Sequence, residues 1–255
     1  AGGGGATSLN GLSDCLVDTD SLYVGEVPAS LSGNPQGNTI LGIDAGNALT
    51  SGANNTLLGN DAGKNLTTAA SNIIIGKNAG LAKTSGSNAT IIGTSAGRDT
   101  ASGSFVVLIG SEAGISNTGD NAIAIGFEAG RVNTAISTIS IGQQAGFSQT
   151  SGVFNLNLGF KAGYSVTTGT NNTIIGNEAG IYNTGTANTF VGNSSGNGSS
   201  GSSSGGFNTG VGQNALASIT TGSQNVGIGR GAGNTVTTGG NNIVIGYQAQ
   251  PSSAT

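Results

Sequence analysis

Asn171-Asn172-Thr173-Ile174-Ile175-Gly176-Asn177-Glu178-Ala179-Gly180 recurs, with variations, along most of this chain. With the Ile-Gly or Leu-Gly step as anchor, glycines fall at 25, 42, 59, 76, 93, 110, 126, 142, 159, 176, 192, 212, 229 and 246. The spacings are 16 or 17 residues throughout, except for one of 20 between Gly192 and Gly212. A fixed period this short is the mark of a solenoid, in which each repeat is one coil stacked on the next. The expected fold is all-β, a parallel β-solenoid (β-roll or β-helix) of about 14 coils of 16–17 residues.

Numbering each repeat from its anchor glycine as zero separates the columns of such a stack. Position −1 is aliphatic in every repeat, for example Ile75, Ile92, Ile109, Ile125, Ile141, Ile175, Ile228 and Ile245, and is expected to point into the core. Position +3 is Ala in all repeats but two, where Pro28 and Ser195 stand; Ala45, Ala62, Ala79 and Ala179 read as tight inward corners with room for one methyl. Position +4 is usually Gly, which suits a turn with positive φ. Position −4 is Asn at 38, 55, 72, 155, 172 and 188, among others. Stacked Asn38, Asn55, Asn72 and Asn155, Asn172, Asn188 predict a hydrogen-bonded ladder along the coil axis. Thr-Thr-Gly turns such as Thr167-Thr168-Gly169 close the coils.

Alternate residues of a strand face opposite ways. Where −2 and −1 are both bulky, both faces of the strand need cover. With −1 assigned to the core, Ile40, Leu57, Ile74, Ile91, Ile174 and Phe190 at −2 are expected to pack against a neighbouring chain, three copies about one axis being the simplest arrangement.

Composition narrows the function. The chain of 255 residues has 49 glycines and no His, Met or Trp, so it has few bulky side chains to offer a conventional globular core. Net charge −4 with only 7 Lys and Arg leaves no basic patch, and nucleic acid is not an expected partner. No apolar run reaches the ~18–20 residues that span a bilayer, so membrane insertion is not expected. No basic-then-apolar signal peptide opens the sequence. Cys15 is the only cysteine and excludes an intrachain disulfide. Residues 1–10 read as a flexible Gly-rich lead-in and 11–37 as an opening cap with the first atypical coil. The array runs over 38–250, with a looped insertion at 193–207 that could serve as a soft joint, and 251–255 are a tail.

No catalytic constellation is present. Without His, the usual nucleophile–base pairs cannot form, and neither enzymatic activity nor a cofactor or structural metal is expected. The carboxylates at +2 (Asp44, Asp61, Glu112, Glu128, Glu178) would form a surface column whose neighbours could hold a cation, but solvated edge charge is the simpler reading. Gly227-Ile228-Gly229-Arg230-Gly231-Ala232-Gly233 imitates a phosphate loop, yet its glycines belong to the array. The Asn-x-Ser/Thr sequons (Asn54, Asn65, Asn88, Asn171, Asn193, Asn197) are what so Asn- and Thr-rich a composition produces.

The repeated Asn ahead of (Ile/Leu)-Gly-x-x-Ala, with aliphatics at −1 and often −3, resembles the head repeats of trimeric autotransporter adhesins, which are trimers of left-handed parallel β-rolls. The 16–17-residue unit, together with the phrase Leu12-Ser13-Asp14-Cys15-Leu16-Val17-Asp18…Ser21-Leu22-Tyr23-Val24-Gly25, is more similar to repeats of tail-fibre and other fibrous structural proteins of marine phages, cyanophages especially. The likeness covers roughly 12–250. The longer period, and the lack of a membrane anchor or coiled-coil stalk, argue against the adhesin. The resemblance implies a homotrimeric fibre segment on a virion surface, a spacer or host-attachment element that contacts other virion proteins and a host-surface glycan or protein. A self-assembling extracellular filament or a bacterial surface adhesin is the second expectation. An ice-binding solenoid needs an unbroken Thr face, and Thr at −3 is interrupted by Ile73, Val107, Ile123, Ile139 and Leu156.

Overall fold

A computed structural model describes residues 15–18, 20–25, 31, 35–200 and 203–252. The chain is an all-β parallel solenoid of about 13 turns. The expected lead-in at 1–10, Pro28 and residues 253–255 of the tail lie outside the described residues, as do residues 201–202 of the insertion.

The chain divides into two compact units between Asp120 and Asn121. The boundary does not fall at 193–207, which lies inside the second unit. The first unit holds β1 (Cys15–Asp18), β2 (Ser21–Gly25), β3 (Thr39–Gly42), β4 (Thr56–Leu58), β5 (Ile73–Ile75), β6 (Thr90–Ile92) and β7 (Val107–Ile109). β1 and β2 form an antiparallel pair with Cys15 opposite Val24, so the expected cap begins as a hairpin. From β2 to β7 each strand pairs parallel with the next, Leu22 opposite Thr39 and Thr39 opposite Thr56. The second unit repeats this in β8 (Ile123–Ile125), β9 (Ile139–Ile141), β10 (Leu156–Leu158), β11 (Thr173–Ile175), β12 (Thr189–Val191), β13 (Thr209–Val211), β14 (Val226–Ile228) and β15 (Ile243–Ile245). Its register is one repeat per rung, even across the 20-residue coil, where Thr189 sits opposite Thr209.

The anchor glycine sets the spacing between coils. Gly76 has φ +132°, and a Cβ there would lie 2.5 Å from the carbonyl oxygen of Gly93 in the next rung. Only a residue without a side chain combines that φ with so close an approach. Position +2 takes the left-handed conformation, as at Asp44 (φ 57°), Asn78 (φ 58°) and Glu178 (φ 54°). That turn directs the +3 Ala inward: Ala45, Ala62, Ala79 and Ala179 are all fully buried.

The Asn column forms a ladder in each unit. Asn55 donates its backbone N–H (2.9 Å) and its side-chain Nδ2 (3.2 Å) to Oδ1 of Asn38, and Asn72 does the same to Asn55. In the second unit Oδ1 of Asn155 accepts from the backbone (2.9 Å) and Nδ2 (3.1 Å) of Asn172, and Oδ1 of Asn172 accepts from the backbone N–H of Asn188 (2.9 Å). The amide groups also tie down the turns, Asn172 Nδ2 donating to the Gly185 carbonyl at 2.9 Å. Buried amides are tolerated because nearly every donor and acceptor has a partner.

The faces of the strands are the reverse of the sequence expectation. Position −2 faces the core: Ile40, Leu57, Ile74, Ile91, Ile174 and Phe190 are at most 1% exposed. They do not project toward a neighbouring chain. Position −1 faces outward, with Leu41 47% exposed, Ile228 40% and Ile245 65%, while Ile75, Ile92, Ile109, Ile125, Ile141 and Ile175 are half-buried. The physical reason is parity. The −4 Asn must be inside to reach the turn carbonyls, and −2 shares its face because side chains alternate. A second inward column at +7 (Leu49, Leu66, Val166, Ile219 and Val236) fills the coil opposite −2. Where −2 is Gly210 or Gly227, Phe190 and Leu216 occupy the space. A Cβ on Gly227 would come 2.9 Å from Leu216 Cγ.

Candidate functional site

The outward −1 residues form an aliphatic column along the sheet of each unit, flanked by a −3 column of Thr and aliphatics and a mostly polar +1 column. Three consecutive strands of the second unit are inside out. β8 reads Ile-Ala-Ile, β9 Ile-Ser-Ile and β10 Leu-Asn-Leu, with Ala124, Ser140 and Asn157 buried and the larger aliphatics outside. Buried Ser140 Oγ and Asn157 Oδ1 have no hydrogen-bond partner. In water, a one-residue slip would move the aliphatics to the core face. The coil holds its register through the Asn ladder and anchor glycines, and leaves these strands with an uncovered apolar side.

The apolar side extends to the corner at −5. Around β10, Phe154 (57% exposed), Leu156, Leu158 (39%) and Phe160 (38%) alternate with buried Asn155 and Asn157. Phe154 has φ 57°, and Phe207 (φ 59°) and Phe105 (φ 56°) stand at the same corner of their own coils. Asn54, Asn88, Asn171 and Asn241 take the same conformation at this position. The left-handed region suits Asn but costs a bulky side chain roughly 1–2 kcal/mol. Phe207 is 66% exposed and Phe105 60%, so neither recovers that cost in the core.

Elsewhere the surface is mostly neutralised. Lys64 Nζ lies between Asp44 Oδ2 (2.7 Å) and Asp61 Oδ1 (2.9 Å), so the carboxylate pair proposed as a cation site carries a lysine ammonium. Hydrogen bonds to Asp44 and then Asp61 raise the Lys64 pKa above the ordinary lysine value. Glu128 accepts from Gln144 Nε2 at 2.8 Å and pairs with Arg131 at 3.3 Å. Phe147 and Tyr164 stack with centroids 4.8 Å apart, and the Arg131 guanidinium caps Phe147 at 5.4 Å. Among the described residues no group of three or more His, Cys, Asp or Glu comes together. No helix of the described residues is long and apolar enough to cross a membrane.

One charge is internal. Lys83 occupies the +7 column and is fully buried, its Nζ donating to the carbonyls of Ser102 (2.6 Å) and Gly103 (2.7 Å). Burial pushes its pKa down to about 8. Nothing in the repeat pattern marks it except that a charge stands where Leu49 and Leu66 stand in earlier coils. The corner phenylalanines are legible in the sequence only as the three aromatic positions of a column otherwise made of small or polar residues.

No protein-family model, no curated protein and no solved structure matches this chain.

Proposed function

We propose that this chain is a non-catalytic structural fibre segment that assembles as a homotrimer through the outer face of its sheet. The single observation that carries this is the outward aliphatic column at −1, broadened at −3 in the inside-out strands β8–β10. In β8–β10 both −3 and −1 are aliphatic on three consecutive rungs, a contiguous outward apolar patch of the kind that marks an interaction surface. Three copies about an axis would let each chain offer its −3 side to one neighbour and its −1 side to the other. The resemblance to phage fibre repeats favours a virion appendage exposed outside the cell, acting as a spacer that joins other virion proteins or meets a host-surface glycan or protein.

Light scattering with negative-stain microscopy on the purified chain tests the assembly. A discrete trimer is the expected result, and Leu158→Lys, which leaves the core untouched, should convert it to monomer. A wild-type monomer at tens of micromolar would refute the proposal, and long polymers would favour a self-assembling filament.

A further inference from the structure

We infer that the interior of the coil at β9 binds a water molecule, held by Ser140 Oγ, Asn157 Nδ2 and Gln149 Oε1. The site lies wholly within the second unit and does not depend on how copies of the chain associate.

Three polar side chains meet inside this coil. Ser140 and Asn157 occupy the −2 column that Ile74, Ile91 and Ile174 hold elsewhere, and Gln149 stands opposite in the +7 column. Each of the three is at most 1% exposed, so bulk solvent does not reach them. Gln149 is fixed at one end, its Nε2 donating to the Gly152 carbonyl. That bond leaves Oε1 to accept one Nδ2 proton of Asn157 at 3.2 Å. The direction of the Asn157 amide follows. Its Nδ2 faces Gln149 and the Gly146 corner, while its Oδ1 faces the Gly163 corner and lies outside this site.

The Gly146 corner is where these groups converge. A Cβ there would run into Ser140 Oγ and lie 3.0 Å from Asn157 Nδ2. Yet Ser140 Oγ has no hydrogen-bond partner among the protein's own atoms. The capacity left around this point is complementary: a hydroxyl that accepts or donates, the second Nδ2 proton of Asn157, and a second lone pair on Gln149 Oε1. A water that accepts from Nδ2 and donates to Oγ and Oε1 makes about three hydrogen bonds, typical of a buried water. Room for it comes from the −2 column, because Ala124 and Ser140 stop at Cβ and Oγ on consecutive rungs where isoleucine would extend to Cδ1. At Gly130, in the Ala124 coil, an added Cβ would meet the Ala124 methyl at 3.2 Å and then Ser140 Cβ and Oγ at 3.8 and 3.9 Å. The polar lining suits water and not an apolar guest, and the Asn157 N–H group that faces the site disfavours a cation. A bound water also accounts for the facing of β9. An unpartnered buried hydroxyl would favour the one-residue slip that brings Ile139 or Ile141 inside, whereas a hydrated Ser140 is satisfied where it stands.

Magnetic relaxation dispersion of water on the full chain, together with a crystal structure at atomic resolution, tests the site. The wild-type chain should show a long-lived internal water that Ser140→Val removes, because two methyl groups replace the hydroxyl and fill the space. Circular dichroism of that variant should match the wild type. The wild-type crystal should place an ordered water within hydrogen-bonding distance of Ser140 Oγ, Asn157 Nδ2 and Gln149 Oε1. A dispersion signal equal in wild type and folded Ser140→Val overturns the inference. The wild-type crystal decides the question even if the variant does not fold: Ser140 Oγ bonded to a protein carbonyl, or no ordered density beside it, overturns the inference as well.

Discussion

Ile174 and Ile175 are adjacent, chemically identical and placed on opposite faces, so truncating each to alanine separates core from interface. Ile174 is fully buried in a cluster with Val166, Phe190 and Leu216, and Ile175 is half-buried on the outer face. Ile174→Ala removes three buried carbons, about 2.4 kcal/mol of transfer free energy at ~0.8 kcal/mol per methylene. The unfilled space under a stack held by fixed glycine spacing raises the expected total to about 3–4 kcal/mol. Ile175→Ala should cost only about 1 kcal/mol in the isolated chain, since much of that side chain remains in water. Urea unfolding at two widely separated protein concentrations is the assay, because assembly makes apparent stability concentration-dependent. The Ile174→Ala loss should be the same at both concentrations, whereas the Ile175→Ala loss should grow with concentration. Equal, concentration-independent losses would refute the facing assigned to the strands and the interface built on it.

Gly76→Ala should be among the most damaging substitutions, at least about 3 kcal/mol, because φ +132° and a 2.5 Å approach to Gly93 O leave no room for a methyl; soluble yield and circular dichroism would report it. Asn172→Ala orphans the backbone N–H of Asn188 and the Gly185 carbonyl, both internal, and should cost roughly 3 kcal/mol in chemical denaturation, while Asn172→Gln should not restore the ladder geometry. Lys83 makes stability depend on pH. Its folded pKa of about 8 lies below the unfolded 10.5, so the unfolded chain binds more protons in that window, and stability rises with pH from about 8 to 10.5. The gain is about 3 kcal/mol at most, and Lys83→Met should flatten the profile measured by urea unfolding across that range. A wild-type profile that falls over the same window would contradict the burial of this charge.

The repeat by itself determined that this chain stacks in coils, where the tight corners lie and which asparagines form rungs. Those properties are local. An anchor glycine, an inward alanine and an amide that needs partners each constrain the backbone near themselves, and repetition at 16–17 residues brings equivalent positions together. The sequence could not fix which of two adjacent aliphatic columns is the core. The invariance of −1 suggested burial, yet the inner −2 column tolerates Ala124, Ser140, Asn157 and Gly210. At Gly210 the Phe190 ring of the preceding rung takes up the space, and the Asn157 Nδ2 donates to Oε1 of Gln149 in the opposing +7 column at 3.2 Å. That compensation acts across rungs far apart in sequence, so facing is decided only when the coil closes. The same closure turns a column of isoleucines outward and makes the surface, not the interior, the place to look for what this protein does.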